Sequence, residues 1–409
     1  MEESLKNNRF PDGFIFGTAT SAFQIEGEGN TEWKGFTGDD GTRLGNAIGH
    51  YDRYLEDIEY IAYLGNAYRF SPDWSRLQLS PLGQLDRRAL DHYGTILKKL
   101  KEKNIKILLV LNHFSNPMWM YKTCGWANES SVNFYLDYSK KLIKELSGNI
   151  DFINTFNEPN AYVNMAYIFR KFPPFKFNPL LRSKALSNMA KAHRLLYEYM
   201  KEKFPDIQVG ISHAHILIEP LGRVTLTYKF ISSYFDSMMH EKVHEYFTGN
   251  GRYIDFTGFS YYGRIPVGIF PLMPNNKRGI IELDRLGIVH DDMWELYPEG
   301  IYRMLKFFYS KYKKPLIITE NGTCTDDDSL RKKSLHNHLF YVKKACDEGI
   351  PVKGYFHWST FDNFELNHGP SRRFGLTSVD FKSGTFNRQL KDSGHYYHEI
   401  VKTNSLVPI

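Results

Sequence analysis

Cysteine is nearly absent from this chain: Cys124, Cys324 and Cys346 are widely separated and odd in number. That argues against a disulfide framework or a clustered zinc site. Long apolar runs are missing too. The longest, such as Ile107 to Leu111, fall far short of the roughly 20 residues that a membrane-spanning helix needs, so no membrane span is expected. The N-terminus has no charged segment followed by an apolar one; no secretory signal is expected, and the cytoplasm is the expected location. Charge of one sign is scarce as well. The 52 basic and 46 acidic residues leave a net charge of +6, without the dense basic tract of a nucleic-acid binder. No low-complexity linker breaks the chain, so one domain over residues 1–409 is expected. Oligomeric state stays open, a homo-oligomer included.

What is plentiful is apolar and aromatic residues, 42% and 15% of the chain, ample for a large core. Short β-rich segments recur at Phe14–Ala19, Ala67–Ser71, Ile107–Leu111, Phe152–Phe156, Val209–Ser212, Asp255–Ser260, Leu316–Thr319 and Lys353–His357. Helical patterns lie between them. Asp52 is a candidate cap for a helix with Leu55, Ile58 and Ala62 on one face, ending at Gly65. Leu90, Tyr93, Leu97 and Leu100 form another face, as do Met189, Ala192, Leu196 and Tyr199. Two more are Ile301, Leu305, Phe308 and Tyr309, and Leu335, Leu339, Val342 and Cys346. Continuous apolar strands alternating with one-faced helices describe a parallel sheet covered by helices. Eight such units predict an α/β fold, a (β/α)8 TIM barrel. A doubly wound sheet is the alternative, but no Gly-rich phosphate loop follows the first strand.

Polar residues gather where these strands end: Gln24, Arg69, His113, Asn157 with Glu158, His213 and His215, Tyr262, Glu320 and Trp358. In a barrel those ends converge on one face, where active sites sit. Two of them are carboxyls closing apolar strands, and ionised buried carboxylates are costly without specific partners. A pair of glutamates suits glycoside hydrolysis: one protonates the leaving oxygen and the other attacks the anomeric carbon from about 5–5.5 Å away. Arg69 would stabilise an ionised nucleophile, and Tyr262 could hold its carboxylate by a hydrogen bond.

Almost from end to end the chain resembles glycoside hydrolase family 1, the β-glucosidase and β-galactosidase family. The opening stretch Phe10 to Gly27 is similar to that family's first motif. His50-Tyr51, Glu56-Asp57-Ile58, Tyr68-Arg69-Phe70-Ser71 and Trp74-Ser75-Arg76 match its second unit. Thr155-Phe156-Asn157-Glu158-Pro159 resembles the acid/base motif, and Ile318-Thr319-Glu320-Asn321-Gly322 the nucleophile motif. Trp358, Asp362-Asn363-Phe364-Glu365 and Arg373-Phe374-Gly375-Leu376 resemble the last strand and its loop. The length and trimmed loops look most like the compact archaeal members. The resemblance implies a retaining β-glycosidase with Glu320 as nucleophile, Glu158 as acid/base and no cofactor. It also implies that Asn157 binds the 2-hydroxyl, Gln24 and His113 the 3- and 4-hydroxyls, and Glu365 the 4- and 6-hydroxyls, with Trp358 stacked on the sugar. The partner it implies is a small β-glycoside, with no nucleic acid.

Two positions depart from the family pattern: Leu366 stands where Trp usually follows the glutamate, and Ser260 where Asn opens Asn-Tyr-Tyr. Rival readings differ in chemistry. A 6-phospho-β-glycosidase is disfavoured because Glu365 would repel phosphate, although Arg372 and Arg373 lie nearby in sequence. A metal-dependent hydrolase would use His213 and His215, which share a strand face but have no third ligand at clear spacing. His336 and His338 fall in a helical pattern and are expected at the surface. A sugar-binding barrel with little turnover is the third, but such barrels usually lose a catalytic carboxyl. Finally, the aromatic run from Tyr162 to Phe177 predicts either an apolar wall for the leaving group or a local core.

Overall fold

A computed structural model describes residues 7–220, 229, 230, 233, 240–267 and 277–409 of the chain. Eight parallel strands close into a barrel in sequence order. They are β1 Ile15–Ala19, β2 Ala67–Phe70, β3 Lys106–Val110, β4 Phe152–Asn157, β5 Gln208–Pro220, β6 Phe256–Val267, β7 Leu316–Asn321 and β8 Val352–Trp358. Closure is made by β1 on β8, from Ile15 opposite Gly354 to Ala19 opposite Trp358. The (β/α)8 expectation holds, and each predicted strand lies in its place.

Alternation along the strands sorts the core into two shells. Inward-facing Ile15, Ala67, Leu108, Val110, Phe256, Ile317 and Phe356 fill the barrel. Outward-facing Tyr68, Ile107, Leu109, Ile153 and Val209 pack under helices on one side, and Phe259, Leu316 and Ile318 on the other. The main covering helices are α1 His50–Leu64, α2 Arg87–Glu102, α3 Ser130–Leu146, α4 Pro159–Tyr167, α5 Pro179–Lys203, α6 Lys242–Thr248, α7 Glu299–Tyr312, α8 Asp328–Asp347 and α9 Asp392–Thr403. Their starts are chemically marked. Asp86 accepts from the Ala89 amide, Asn178 from Leu181 and Asp327 from Ser329; α4 and α5 each begin on a proline.

The structure corrects three sequence expectations. Helix α1 starts at His50 rather than after a cap at Asp52, and Leu55 is 56% exposed. Its buried face runs through Asp57, Ile58, Ile61 and Leu64, because Asp57 is tied to His50 at 2.8 Å and to Arg388 at 2.7 Å. A buried ion cluster, not the apolar stripe alone, sets the helix rotation. Second, His338 is buried with Nδ1 2.8 Å from the Ser334 carbonyl, and His336 is half-buried against Tyr396. Third, β5 and β6 run well past the expected four to six residues and continue as a two-stranded ribbon above the mouth, Leu217 opposite Arg264 and Ile218 opposite Ile265. The period-two pattern Ala214, Ile216, Ile218 was the signal for this extension.

His213 and His215 do share a strand face, but they point into packing between β5 and its covering helices. His213 lies 4.8 Å from His244 and His215 5.0 Å from His240, ring to ring, with Phe247 and Phe308 beside them. Among the described residues, no three of these side chains are arranged so that they could hold a metal ion.

Burial depresses the pKa of this group: His193 and His244 to about 3, His240 to about 4, and His213 and His215 well below the ordinary value. Each stays neutral when folded but binds a proton near pH 6.5 when unfolded, so it contributes stability that is present above pH 6.5 and lost as pH falls. Buried carboxyls oppose this: Glu26 and Asp291 are raised by burial to about 7, and Glu32 to about 8. Lowering pH from 7 toward 5 therefore removes their folding penalty while the histidine penalty grows. The separable prediction is a difference between variants. His213→Leu should gain stability relative to wild type as pH falls below 6.5, by about 1.4 kcal/mol per pH unit. Urea unfolding at pH 8 and pH 5 checks it; an unchanged difference contradicts the titration assigned to His213.

Candidate active site

Register shifts mark the barrel mouth, and three of them bear on the glutamates. They fall between Asn154 and Asn157 in β4, between Phe259 and Ser260 in β6, and between Ile318 and Asn321 in β7. Such bulges re-aim the next side chains, and the two glutamates emerge from them. Glu158 follows β4 with φ 41°, ψ 56°, a left-handed backbone that costs a non-glycine residue about 1 kcal/mol or more. It is held there from both sides. Its amide donates to the Ser212 carbonyl at 2.8 Å. Pro159 begins α4, and the Asn160 amide exchanges hydrogen bonds with the Ala214 backbone at 2.8 and 3.1 Å.

Glu320 is fixed by the residues after it. Asn321 donates to the Tyr261 carbonyl at 2.7 Å and accepts from the Tyr355 hydroxyl at 2.7 Å. A Cβ on Gly322 would lie 1.9 Å from the Trp358 carbonyl oxygen, so only glycine lets β7 pass β8 here.

Arg69 joins the mouth together. Fully buried, it donates to one Glu320 oxygen and, at 2.6 Å, to the Asn157 side-chain oxygen. Tyr262 donates to the other Glu320 oxygen at 2.9 Å. The Asn157 nitrogen faces His113 Nε2 at 2.8 Å. His113 is held far below its ordinary pKa by burial and by Arg69, so it is a neutral acceptor there and carries its proton on Nδ1. Trp358 lies over the same wall, 5.6 Å from the His113 ring.

Across the mouth, Gln24 donates to Glu365 at 3.0 Å and to Asn363 at 3.1 Å, and accepts from Ser21 at 2.7 Å. Both its protons are used, so toward a ligand it offers only an acceptor. The Trp358 indole approaches the same Glu365 oxygen at 3.4 Å. Arg69 Nε, His113 Nδ1 and Ser260 Oγ are buried without a hydrogen-bond partner, and of these His113 and Ser260 line the cavity where a ligand could satisfy them.

The carboxyls differ in electrostatics. Burial, and next the charge of Glu320, raises Glu158 to about 8. Burial also raises Glu320, but Arg69 and Tyr262 oppose it directly, so the pair releases its first proton from Glu320. Ser260 faces both carboxyls and lowers each, though its hydroxyl is not aligned for a full hydrogen bond with either. Glu365 is raised to about 8, chiefly by burial. Near neutral pH Glu365 can therefore donate as well as accept, and the repulsion of phosphate expected of it is weakened.

These groups border a cavity of about 390 Å³. Its floor holds Gln24, His113, Glu158, Ser260, Tyr262, Glu320, Trp358 and Glu365. The outer wall is apolar, with Phe114, Met165, Phe169 and Phe172 on one side and Ile216, Ile218, Ile265 and Trp294 on the other. No lysine or arginine lines the described wall. Arg372 and Arg373 pair instead with Asp292 at 3.8 Å and Asp326 at 3.2 Å. The predicted site residues Gln24, Arg69, His113, Asn157, Glu158, Tyr262, Glu320, Trp358 and Glu365 thus come together in one place. Sequence reasoning missed Asn160, Asn363, Met293 and Trp294. The last two lie in an irregular loop with no periodic signal, whereas Asn160 sat two residues from a glutamate already singled out. The aromatic run divides: Phe169 and Phe172 line the cavity, Tyr162, Tyr167 and Phe172 are buried in the core, and Phe175 and Phe177 are exposed.

A closed parallel barrel with a coupled carboxyl pair at its C-terminal mouth defines a class, the glycoside hydrolases. The family model "Glycosyl hydrolase family 1" matches residues 6–276 and 250–406, and the chain belongs to that family, whose members are retaining β-glycosidases. Beta-glucosidase A of Thermotoga maritima is 31% identical over 97% of this chain and 99% of its own. The Beta-galactosidase of Pyrococcus woesei is 29% identical over 91% of this chain and 93% of its own. The structure of a beta-glycosidase from Pyrococcus horikoshii superposes with a TM-score of 0.86 at 30% identity, covering 98% of this chain and 97% of that one. The protein is a glycoside hydrolase.

The asymmetry between the carboxyls is directly measurable. Difference infrared spectra should show protonated carboxyl bands at pH 6.5 that disappear above about pH 8. Glu158→Gln should remove one of them and Glu365→Gln another. Bands that vanish below pH 6 would contradict the burial argument.

Proposed function

We propose that Glu320 attacks the anomeric carbon of a β-glucoside or β-galactoside, and that Glu158 acts first as acid and then as base. The observation that carries this assignment is the unequal pairing of the two carboxyls. Glu320 has Arg69 and Tyr262 on its two oxygens, which favours the ionised nucleophile. Glu158 has no direct cation and a pKa raised to about 8, which keeps a proton for the leaving oxygen near neutral pH. After the glycosyl–enzyme bond forms, the charge on Glu320 is gone. The Glu158 carboxylate, having given up its proton, can take one from the attacking water.

In this reading Asn157 meets the 2-hydroxyl, a contact that would strengthen as positive charge develops at the anomeric centre. Gln24 and His113 offer, respectively, an acceptor and an Nδ1 donor to the 3- and 4-hydroxyls, Glu365 takes the 4- and 6-hydroxyls, and Trp358 covers the sugar face. The favoured sugar is unphosphorylated: a phosphate at the 6-position would find no lysine or arginine among the described wall residues to pair with. The apolar outer wall favours an alkyl, aryl or isoprenoid leaving group. The same reading takes residues 1–409 as one barrel domain and puts the enzyme in the cytoplasm, in line with its three free cysteines.

Early-time NMR of the released sugar tests the assignment: the first product should be the β-anomer. A 2-deoxy-2-fluoro glycoside with a good leaving group should label Glu320. Initial α-anomer, or a label on another residue, overturns it.

Position 366 carries a second prediction. Leu366 lines the cavity beside Glu365, with φ 46°, and supplies no donor. Its side-chain neighbour Asn367 already donates to Asp39 at 3.0 Å. A lost neutral hydrogen bond nets about 0.5–1.5 kcal/mol, roughly tenfold at most. Leu366→Trp should therefore raise kcat/KM on β-glucosides by up to about tenfold and sharpen discrimination between gluco and galacto epimers. A folded variant with no gain, alongside a wild type that already discriminates sharply, contradicts this.

A further inference from the structure

The apolar wall does not stop at the cavity. Phe169 lines it and is 43% exposed, and the loop that follows carries Phe175 at 43%, Phe177 at 65% and, at the start of α5, Leu180 at 78%. This is four exposed large apolar side chains within twelve residues. Elsewhere exposed apolar residues are more scattered, which is ordinary for a surface. The loop is pinned. The amides of Lys171 and Phe172 donate to the Met165 carbonyl, and that of Asn178 donates to Tyr167. Phe172 is buried against Trp33 and Phe114, and Phe175 stacks on Phe36 at 6.2 Å. The exposed rings are therefore presented by an anchored backbone.

The charge of the same segment is one-sided. From Pro159 to Tyr197 there is no aspartate or glutamate, while Arg170, Lys171, Lys176, Arg182, Lys184, Lys191 and Arg194 are present. Among the described residues, Arg170, Lys171, Lys176 and Lys184 have no acidic partner within ion-pair distance, and all four are exposed. Unpaired cations interleaved with exposed Phe and Leu around an apolar opening match one kind of surface: the headgroup layer of an anionic lipid bilayer. There the rings enter the acyl boundary and the cations meet phosphate. No helix of the described residues is long and apolar enough to cross a membrane, so the contact is peripheral.

We propose that the mouth segment Phe169–Lys184 docks on an anionic lipid surface, so that the enzyme draws β-glycosides with lipid-like leaving groups from the membrane interface straight into its cavity. This rests on the glycosidase reading above and adds where the substrate is collected.

Flotation of the full chain with vesicles of phosphatidylglycerol and phosphatidylcholine in equal parts tests it. The protein should float with these vesicles at low salt, stay behind with pure phosphatidylcholine, and be released at high salt. Each cation near such a surface is worth about fivefold in partitioning. Lys176→Glu with Lys184→Glu should therefore lower vesicle binding by well over tenfold, and Phe177→Ser with Leu180→Ser should lower it about as much. Neither pair touches the sugar site, so turnover of a soluble aryl β-glucoside should be unchanged, while hydrolysis of dodecyl β-glucoside embedded in the anionic vesicles should fall with binding. Wild-type protein that fails to float at low salt overturns the proposal, as does binding that survives the charge-reversed pair. A monomer–dimer shift in Phe177→Ser with Leu180→Ser, without vesicle binding by the wild type, assigns the patch to a second copy and also overturns it. Aryl-glucoside turnover and the labelling of Glu320 need no vesicles, so their failure would sink the glycosidase reading separately.

Discussion

Arg69 is the residue on which the mouth depends. Its guanidinium is wholly buried, and its two bonded nitrogens reach Glu320 and Asn157, residues on different strands. A buried cation without partners is untenable, and so is a buried carboxylate; each makes the other possible. Three glutamates, Glu158, Glu320 and Glu365, border one cavity, and only Glu320 has the guanidinium on it. That single placement makes Glu320 easier to ionise than Glu158 and Glu365, which burial raises to about 8. Asn157, oriented by Arg69 on its oxygen, presents its nitrogen to His113, so the polarity of the sugar-facing wall follows from the same contact.

The barrel supplies the precision that this arrangement needs. Regular strands would alternate their side chains in and out without exception. In β4 and β7 the alternation breaks just before Glu158 and Glu320. The left-handed backbone at Glu158, the Asn160 clamp on β5 and the contact of Gly322 with Trp358 keep those breaks from relaxing. The interior beneath them is packed by Ile15, Leu108, Phe256 and Phe356.

This explains what was legible in the sequence and what was not. Strands such as Leu316–Thr319 announce themselves because continuous apolar runs of β-branched residues are expensive anywhere but in a buried sheet. The residues at their ends were visible because they interrupt those runs. Two kinds of information were not local. Burial of His338 depends on α8 being covered by neighbours, which a single helical pattern does not reveal. The rotation of α1 depends on Arg388, more than 300 residues away, reaching Asp57. The ribbon extending β5 and β6 was half visible, in Ala214, Ile216 and Ile218, but its partner strand turns polar at Arg264, which pairs with Glu219 and Glu295.

The cavity joins two solvents. Its floor consists of polar groups whose bonds are largely satisfied inside the protein, leaving a small set of open positions at His113 and Ser260. A sugar can occupy these without leaving buried polar atoms unpaired. Its outer wall has almost nothing to offer a hydroxyl and a great deal to offer a hydrocarbon. A substrate that matches both must itself change character at the glycosidic oxygen, the atom to which the proposed mechanism has Glu158 give its proton. On the proposed mechanism the boundary between polar floor and apolar wall coincides with the bond to be broken, and an amphiphilic glycoside would be aligned for cleavage by partitioning. Burial raises Glu158 to about 8 at this boundary, so the proposed acid holds the proton that a leaving group lying on the apolar wall would require.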